Sequence, residues 1–209
     1  MTHVAVIDYG MGNLHSVAKA LQTVAPQTKI VVARDAHDVL SAERVVFPGV
    51  GALRDCMSAL AERGLIAPIR SALASKPVLG ICLGMQALLE FSEENDGTPG
   101  LGVVAGRVQR FPDTLPQQGL KVPHMGWNEV QQTRPHPVWE GIADRTRFYF
   151  VHSYYVAPTD ATLIAGSTDY GVTFAAALAW RNVFAVQFHP EKSQSAGLAL
   201  LANFLRWQP

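Results

Sequence analysis

Cysteine is scarce. The 209 residues contain only two, Cys56 and Cys82. A chain of this length buries roughly 70% of its unfolded surface on folding, so its core needs no disulfide. The simplest reading is a cytosolic protein with reduced thiols. The two cysteines lie far apart, and neither C-x-x-C nor H-E-x-x-H occurs, so the common zinc frames are missing. No metal and no cofactor are expected. Charge of one sign is missing too: 17 basic residues balance 17 acidic ones, with no basic stripe to attract nucleic acid. The apolar runs stop well short of the ~20 residues a membrane span requires, so no membrane partner is expected. The opening MTHVAVIDYG has no basic n-region of a signal peptide and reads as a first strand. No linker, charge run, repeat or low-complexity segment divides the chain, which suggests one domain over 1–209.

With 48% hydrophobic and 16% charged residues, the composition is that of a compact globular protein. The first half alternates short apolar runs with amphipathic stretches. Strands are expected at Val4–Asp8, Lys29–Ala33, Arg44–Phe47 and Pro77–Ile81. Helices are expected at Leu14–Val24, from 48-PGVG-51 to about Arg63, at Leu65–Ala74 and at Leu83–Phe91. This rhythm implies a parallel, doubly wound sheet. From Gly100 the rhythm becomes strand after strand: Gly102–Phe111, Lys121–Val130, Arg147–Tyr155, Ala161–Ser167, Val172–Trp180 and Val183–Phe188. These suggest antiparallel hairpins added to the parallel core, closed by a helix over Ser195–Trp207. The stretch Phe111–Leu120 reads as a surface loop.

Gly80-Ile81-Cys82-Leu83-Gly84 has the frame G-x-C-x-G, the cysteine counterpart of the nucleophile elbow. A sharp strand-to-helix turn crowds the backbone, and glycines at both ends permit it. The apex side chain projects beyond the sheet edge, where the Leu83 N–H can donate to an oxyanion and a helix start favours a thiolate. The pentapeptide alone leaves open whether Cys82 is a nucleophile or a small core residue. Cys56 has no such frame and reads as core.

A thiol nucleophile needs a proton-handling partner. His189, in 183-VFAVQFHPEKS-193, ends an apolar strand, where parallel sheets place functional groups. Glu191 lies two residues on. In extended chain, residues i and i+2 face the same side, and Pro190 biases His189 toward that geometry. Glu191 can thus hold one ring nitrogen while the other faces Cys82, giving a Cys–His–Glu triad. Alone, H-P-E reads rather as a strand-end turn with a solvated carboxylate; G-x-C-x-G in the same chain moves the balance toward the triad. In Pro48-Gly49-Val50-Gly51, the glycines allow close backbone approach, and a peptide N–H there could complete an oxyanion hole with Leu83; an ordinary turn is the alternative. Tyr9-Gly10-Met11-Gly12-Asn13 raises a phosphate-loop question, but no acid-tipped second strand supports a dinucleotide site. Spacing by itself supports thiol-based acyl transfer.

These motifs together resemble a known family. G-I-C-L-G-M-Q with F-H-P-E-K-S resembles the class I (triad-type) glutamine amidotransferases. Three further stretches, 8-DYGMGNL-14, 124-HMGWN-128 and 149-YFVHSYY-155, are similar to those of one branch, the glutaminase subunits of imidazole glycerol phosphate synthases. The resemblance implies a flavodoxin-like α/β fold, with a central parallel sheet flanked by helices and added antiparallel strands in the C-terminal half. It implies that Cys82 forms a glutamyl thioester, that His189 moves the protons and that Glu191 orients His189. It implies an oxyanion site at Gly49, Val50, Gly51 and Leu83, and glutamine-holding roles for Gln86, Glu94, Ser153 and Tyr154; in the acid-rich run 90–96, Glu94 could be displaced by one position. The partner it implies is a (β/α)8-barrel cyclase subunit that takes up the ammonia and forms imidazole glycerol phosphate and AICAR in histidine biosynthesis. Asn13, Met125, Trp127, Tyr149 and Lys192 match partner-interface positions. Without the resemblance, Trp127 would read as a core tryptophan. Two alternatives remain: another triad amidotransferase subunit, such as an anthranilate synthase or pyridoxal phosphate synthase glutaminase, or a catalytically silent docking module. A further expectation is that the Gly49–Val50 peptide turns its carbonyl toward the thioester oxygen until partner and ligand bind, leaving the isolated chain nearly inactive.

Overall fold

The computed structural model describes residues 3–209. Five strands form its parallel half: β1 (His3–Ile7), β2 (Lys29–Ala33), β3 (Arg44–Gly49), β4 (Val78–Cys82) and, from the far end of the chain, β13 (Val183–Val186). They pair in the order β2-β1-β3-β4-β13, every pair parallel. Helices cover both faces: α1 (Leu14–Val24) and α6 (Gln194–Arg206) one, and α2 (Ala36–Ser41), α3 (Leu53–Glu62) and α4 (Ile66–Ser75) the other. Alternate residues of each strand therefore enter different cores. In β1, Val4 and Val6 join α1 and α6, while Ala5 and Ile7 join α3 and α4. Strands buried on both faces need continuous apolar runs, and the sequence supplies them.

Two cations, Arg44 buried on β3 and Lys76 half-buried at the end of α4, tie helix ends to their neighbours. The Arg44 guanidinium donates to the carbonyls of Phe204 (3.2 Å) and Trp207 (2.6 Å) at the end of α6. Lys76 Nζ donates to the carbonyls of Val39 (3.3 Å) and Ala42 (2.7 Å) around the end of α2. Each satisfies carbonyls that a helix end leaves unpaired.

The second half departs from the expected pattern in several places. The chain forms one helical turn after Cys82, α5 (Leu83–Gln86), and then β5 (Leu89–Ser92), so the expected helix Leu83–Phe91 is cut short. Its residues Leu88 and Leu89 are fully buried, and their carbonyls accept the amides of Val103, Val104 and Gly102. Strand pairing thus overrides helix propensity. A short β6 (Thr98–Pro99) pairs with β5, which runs parallel to β7 (Val104–Arg110). β8 (His124–Gln132) starts three residues later than expected. The strand expected over Arg147–Tyr155 is two, β9 (Thr146–His152) and β10 (Tyr154–Pro158). At Ser153 the chain changes partners, from β8 to β7 and β12 (Thr173–Trp180). β11 (Ile164–Asp169) joins β12 to β8, and Ala161–Leu163, expected as strand, is a 3-10 turn. The segment 111–120 is not wholly a surface loop: Phe111 and Leu115 are buried, and Leu115–Gln118 forms a 3-10 turn.

Candidate active site

Cys82 sits at the end of β4 with φ 52°, a left-handed conformation that side chains rarely adopt. Close packing enforces the turn. A Cβ at Gly84 would overlap the Phe47 carbonyl, and one at Gly80 would stand 3.1 Å from the Ala185 Cβ. Position 84 must therefore be glycine, and position 80 has little room for more. β3 ends beside it, with Gly49 as the register partner of Cys82.

The thiol opens into a cavity of about 380 Å³, a size that suits a small ligand, since binding pockets run from roughly 300 to 1,000 Å³. Val50, Gly51, Leu83, Gln86, Glu94, Ser153, Tyr154 and His189 line it with Cys82. Gly49, expected at the oxyanion site, is not among the lining residues, although it pairs with Cys82 across β3 and β4. Among the acids of 90–96, Glu94 is the one at the cavity; Glu90 accepts from Gly106 N–H (3.0 Å) and Glu93 from Arg110 N–H (3.2 Å). Glu94 is fixed by accepting the Leu53 N–H at the start of α3, 2.8 Å.

His189 follows β13 and is 2% exposed. Its Nδ1–H donates to Glu191 Oε1 at 2.8 Å, and the Glu191 side chain is equally buried. The loop is anchored to β9: His189 N–H donates to the Tyr149 carbonyl (2.9 Å), and Ser193 Oγ donates to the His189 carbonyl (2.6 Å) and accepts from Tyr149 N–H (3.0 Å). The other ring nitrogen, Nε2, is buried with no hydrogen bond among the described residues and belongs to the cavity wall shared with Cys82. Burial alone would discharge this ring. Its contacts with Cys82 and Glu191 overcome it, raising His189 to about 10. His189 is therefore held as a proton donor.

Sequence reasoning missed three contributors. Gln187 is fully buried; its Nε2 donates to Cys82 Sγ at 3.6 Å, and its Oε1 accepts from Gln86 Nε2 at 3.1 Å. It stands two residues before His189, the same-face spacing that flagged Glu191. Val151 and His152 complete the cavity wall. His152 Nδ1–H donates to the Tyr154 carbonyl (2.8 Å), and its Nε2 accepts from His124 Nδ1–H (3.0 Å). His124 Nε2 in turn accepts from Asn128 Nδ2–H (3.3 Å), so the bonds fix both tautomers. Burial pushes His152 down to about 3 and His124 to about 4.

Cys56 is buried in α3, its thiol pushed up to about 12 by burial, and is no nucleophile. Among the described residues, no cluster of three or more His, Cys, Asp or Glu could hold a metal ion, and no helix is long and apolar enough to cross a membrane. Trp127 is not a core residue: it is 43% exposed, and Met125 beside it on β8 is 62% exposed. Trp127 meets Tyr149 edge-on at 6.1 Å, and Lys192 Nζ stands 5.8 Å from the Tyr149 ring centroid. Four of the five interface candidates thus adjoin; Asn13 caps α1 through the Ser16 N–H.

A buried thiol, a proton-donating imidazole, an orienting carboxylate and a glycine-rich strand end form an apparatus for acyl transfer. The sequence profile of the family described as glutamine amidotransferase class-I matches residues 5–207. A protein of Methylococcus capsulatus named imidazole glycerol phosphate synthase subunit HisH is 61% identical, aligned over 100% of this chain and 98% of its own. One of the same name from Aromatoleum aromaticum is 59% identical over 100% of both chains. The fold is shared with a solved PurLQS structure from Thermotoga maritima (TM-score 0.73, 16% identity, 98% of both chains). It is shared also with the glutaminase domain of CTPS from Trypanosoma brucei with bound acivicin (TM-score 0.67, 18% identity, 100% of this chain and 96% of that one).

Proposed function

The chain belongs to the class-I glutamine amidotransferase family and is a glutamine amidohydrolase, the glutaminase subunit of imidazole glycerol phosphate synthase in histidine biosynthesis; from that premise we propose which residues do the work and what the partner is. Cys82 Sγ, as thiolate, attacks the side-chain amide carbon of L-glutamine. The N–H groups of Val50 and Leu83 receive the negative charge that develops on the amide oxygen. His189 gives its proton to the departing nitrogen, which leaves as ammonia, and a glutamyl thioester remains. His189 then takes a proton from water, whose oxygen attacks the thioester and releases glutamate. Glu191 keeps the imidazole oriented through both steps and stabilises it whenever it carries the proton. Gln187 steadies the thiolate. Gln86, Glu94, Ser153 and Tyr154 hold the amino-acid end of the substrate. One amidotransferase domain spans 1–209 and works in the cytoplasm.

The ammonia passes to a (β/α)8-barrel cyclase subunit, where it is built into imidazole glycerol phosphate with release of AICAR. Asn13, Met125, Trp127, Tyr149 and Lys192 form the docking face. Exposed Met and Trp side by side on one strand support this reading, since such residues are enriched where partners bind. The Tyr149 backbone holds the His189 loop, so partner binding at Tyr149 has a short path to the nucleophile. In the free chain the Gly49–Val50 peptide is turned away from its oxyanion role, and the partner with its ligand turns it.

The observation that carries the reading is the Glu191-bound His189 in one cavity with the strained Cys82. Its test is alkylation by a chloroketone analogue of glutamine, followed by mass spectrometry of the peptides. Label on Cys82, blocked by excess glutamine and absent from Cys56, is expected. Equal labelling of both thiols, or none, would contradict a glutamine site.

A further inference from the structure

Tyr9 is buried at the working edge of the sheet, and the steps above leave it without a role. It follows β1, is 1% exposed, and meets Phe47 edge-on with centroids 6.2 Å apart. Its hydroxyl reaches beneath Gly49 and occupies the space a Cβ there would fill. In that place it is buried without a hydrogen bond among the described residues. Unpartnered buried hydroxyls are uncommon and call for a reason. The Cys56 thiol and the Val50 N–H nonetheless lie within hydrogen-bonding reach of it, and burial pushes its ionisation far above the ordinary range. The phenol stays protonated and can both donate and accept.

The topology indicates which peptide this hydroxyl serves. β3 runs between β1 and β4; Tyr9 extends β1, Cys82 ends β4, and Gly49 is the register partner of Cys82. The Gly49–Val50 peptide thus has the nucleophile on one side and Tyr9 on the other. A trans peptide is planar, with its N–H and C=O pointing opposite ways. When the N–H faces the substrate oxygen, the C=O faces the buried side and needs a donor there. With the peptide turned back, the Val50 N–H faces that side and needs an acceptor. One hydroxyl meets both needs.

We infer that Tyr9 is a positioning residue of the oxyanion site: its hydroxyl donates to the Gly49 carbonyl when the peptide presents the Val50 N–H to the tetrahedral intermediate, and accepts from that N–H when the peptide is turned back. The inference rests on the glutaminase reading above.

The test is Tyr9→Phe, assayed for glutamate release in the complex with the cyclase subunit and its ribonucleotide ligand. A kcat loss of about tenfold is expected, smaller than the hundredfold or more seen when an oxyanion donor itself is removed. KM for glutamine stays within about twofold, because the ground state does not use the oxyanion contact. Alkylation of Cys82 by iodoacetamide, which develops no oxyanion, keeps its wild-type rate. An unchanged kcat overturns the inference. So does a parallel fall in kcat and alkylation, which would place the defect in the thiolate. A wild-type complex that releases no glutamate would instead overturn the glutaminase reading. If Tyr9→Phe does not fold, Tyr9→Met carries the same comparison; failure of both to fold makes the hydroxyl a requirement of the core and overturns the positioning role.

Discussion

His189 and His152 line the same cavity, 2% and 6% exposed, yet their surroundings drive them to opposite charge states. Burial disfavours the imidazolium at both. At His189 it is outweighed by Cys82 and by Glu191, whose Oε1 lies 2.8 Å away, and the ring is raised to about 10. At His152 nothing negative answers burial: the ring donates to a neutral carbonyl, accepts from His124, and falls to about 3. The first belongs to the edge of the parallel sheet and, in the proposed mechanism, handles protons. The second belongs to the antiparallel wall and holds the cavity's shape. The Glu191 carboxyl and the Cys82 sulfur make the difference, so the two histidines can be perturbed separately.

The largest effect is expected from Glu191→Gln, which keeps the side chain's shape and removes its charge. Glutamate release by the complex falls by roughly 10²- to 10⁴-fold, as when the acid of a comparable triad is neutralised. The pH–rate profile shifts as well, with the His189 limb moving down from about 10 toward the ordinary 6.5. A drop in rate with an unmoved profile would break the comparison, because charge would then not be what distinguishes His189. A smaller effect, on stability, is expected from His124→Phe. The new ring can still stack on Phe150 and Tyr170, as His124 does at 4.8 and 3.9 Å, but His152 Nε2 and Asn128 Nδ2 lose a partner. Denaturant unfolding should show a loss of about 1–3 kcal/mol, the penalty for a buried polar group left unpaired. Iodoacetamide labelling of Cys82 should be unchanged.

The smallest effect is in the pH dependence of stability. His124, His136 and His152 are held down by burial to about 4, 4 and 3, while the unfolded chain protonates them near 6.5. Between those values the unfolded state binds more protons, so their joint contribution declines as pH falls from 6.5 toward 4. His189 has the opposite sign. Its folded value is raised, so its contribution is complete below 6.5 and is lost as pH rises through about 10. Thermal unfolding followed against pH should decline on the acid side first, and less steeply in His124→Phe. An acid limb identical in the two proteins would contradict the neutral pair.

The parallel half was legible in the sequence for a physical reason. A strand covered on both faces must be apolar throughout, and a tight strand-to-helix turn must use glycine, so β1, β3 and β4 and the Cys82 elbow announce themselves. Glu191 was legible because strand geometry puts i and i+2 on one side. The rest depended on tertiary pairing. Leu83–Leu89 is apolar and buried almost throughout, so no periodicity could show that the helix stops at Gln86 and a strand begins at Leu89. The break at Ser153 comes from a change of neighbours from β8 to β7 and β12, which no local pattern encodes. The short helix α2 was missed, although Asp35 caps it through the Asp38 N–H at 3.0 Å. Phe111 and Leu115 sit in a stretch whose Pro, Gln and Gly suggest a loop, and only the packing shows them anchoring it. Gln187 and His152 lie inside VFAVQFHPEKS and YFVHSYY, but nothing in those stretches singled them out; their roles follow from what surrounds them.

The central claim is a competent triad that waits for its partner. Its most direct test is glutamate release from glutamine by the purified chain alone, and then with the cyclase subunit and its ribonucleotide ligand, with Cys82→Ala as control. The account requires little turnover alone, strong turnover in the loaded complex, and none in the mutant. Full activity in the free chain would contradict the gated oxyanion site, and activity surviving in Cys82→Ala would contradict the triad itself.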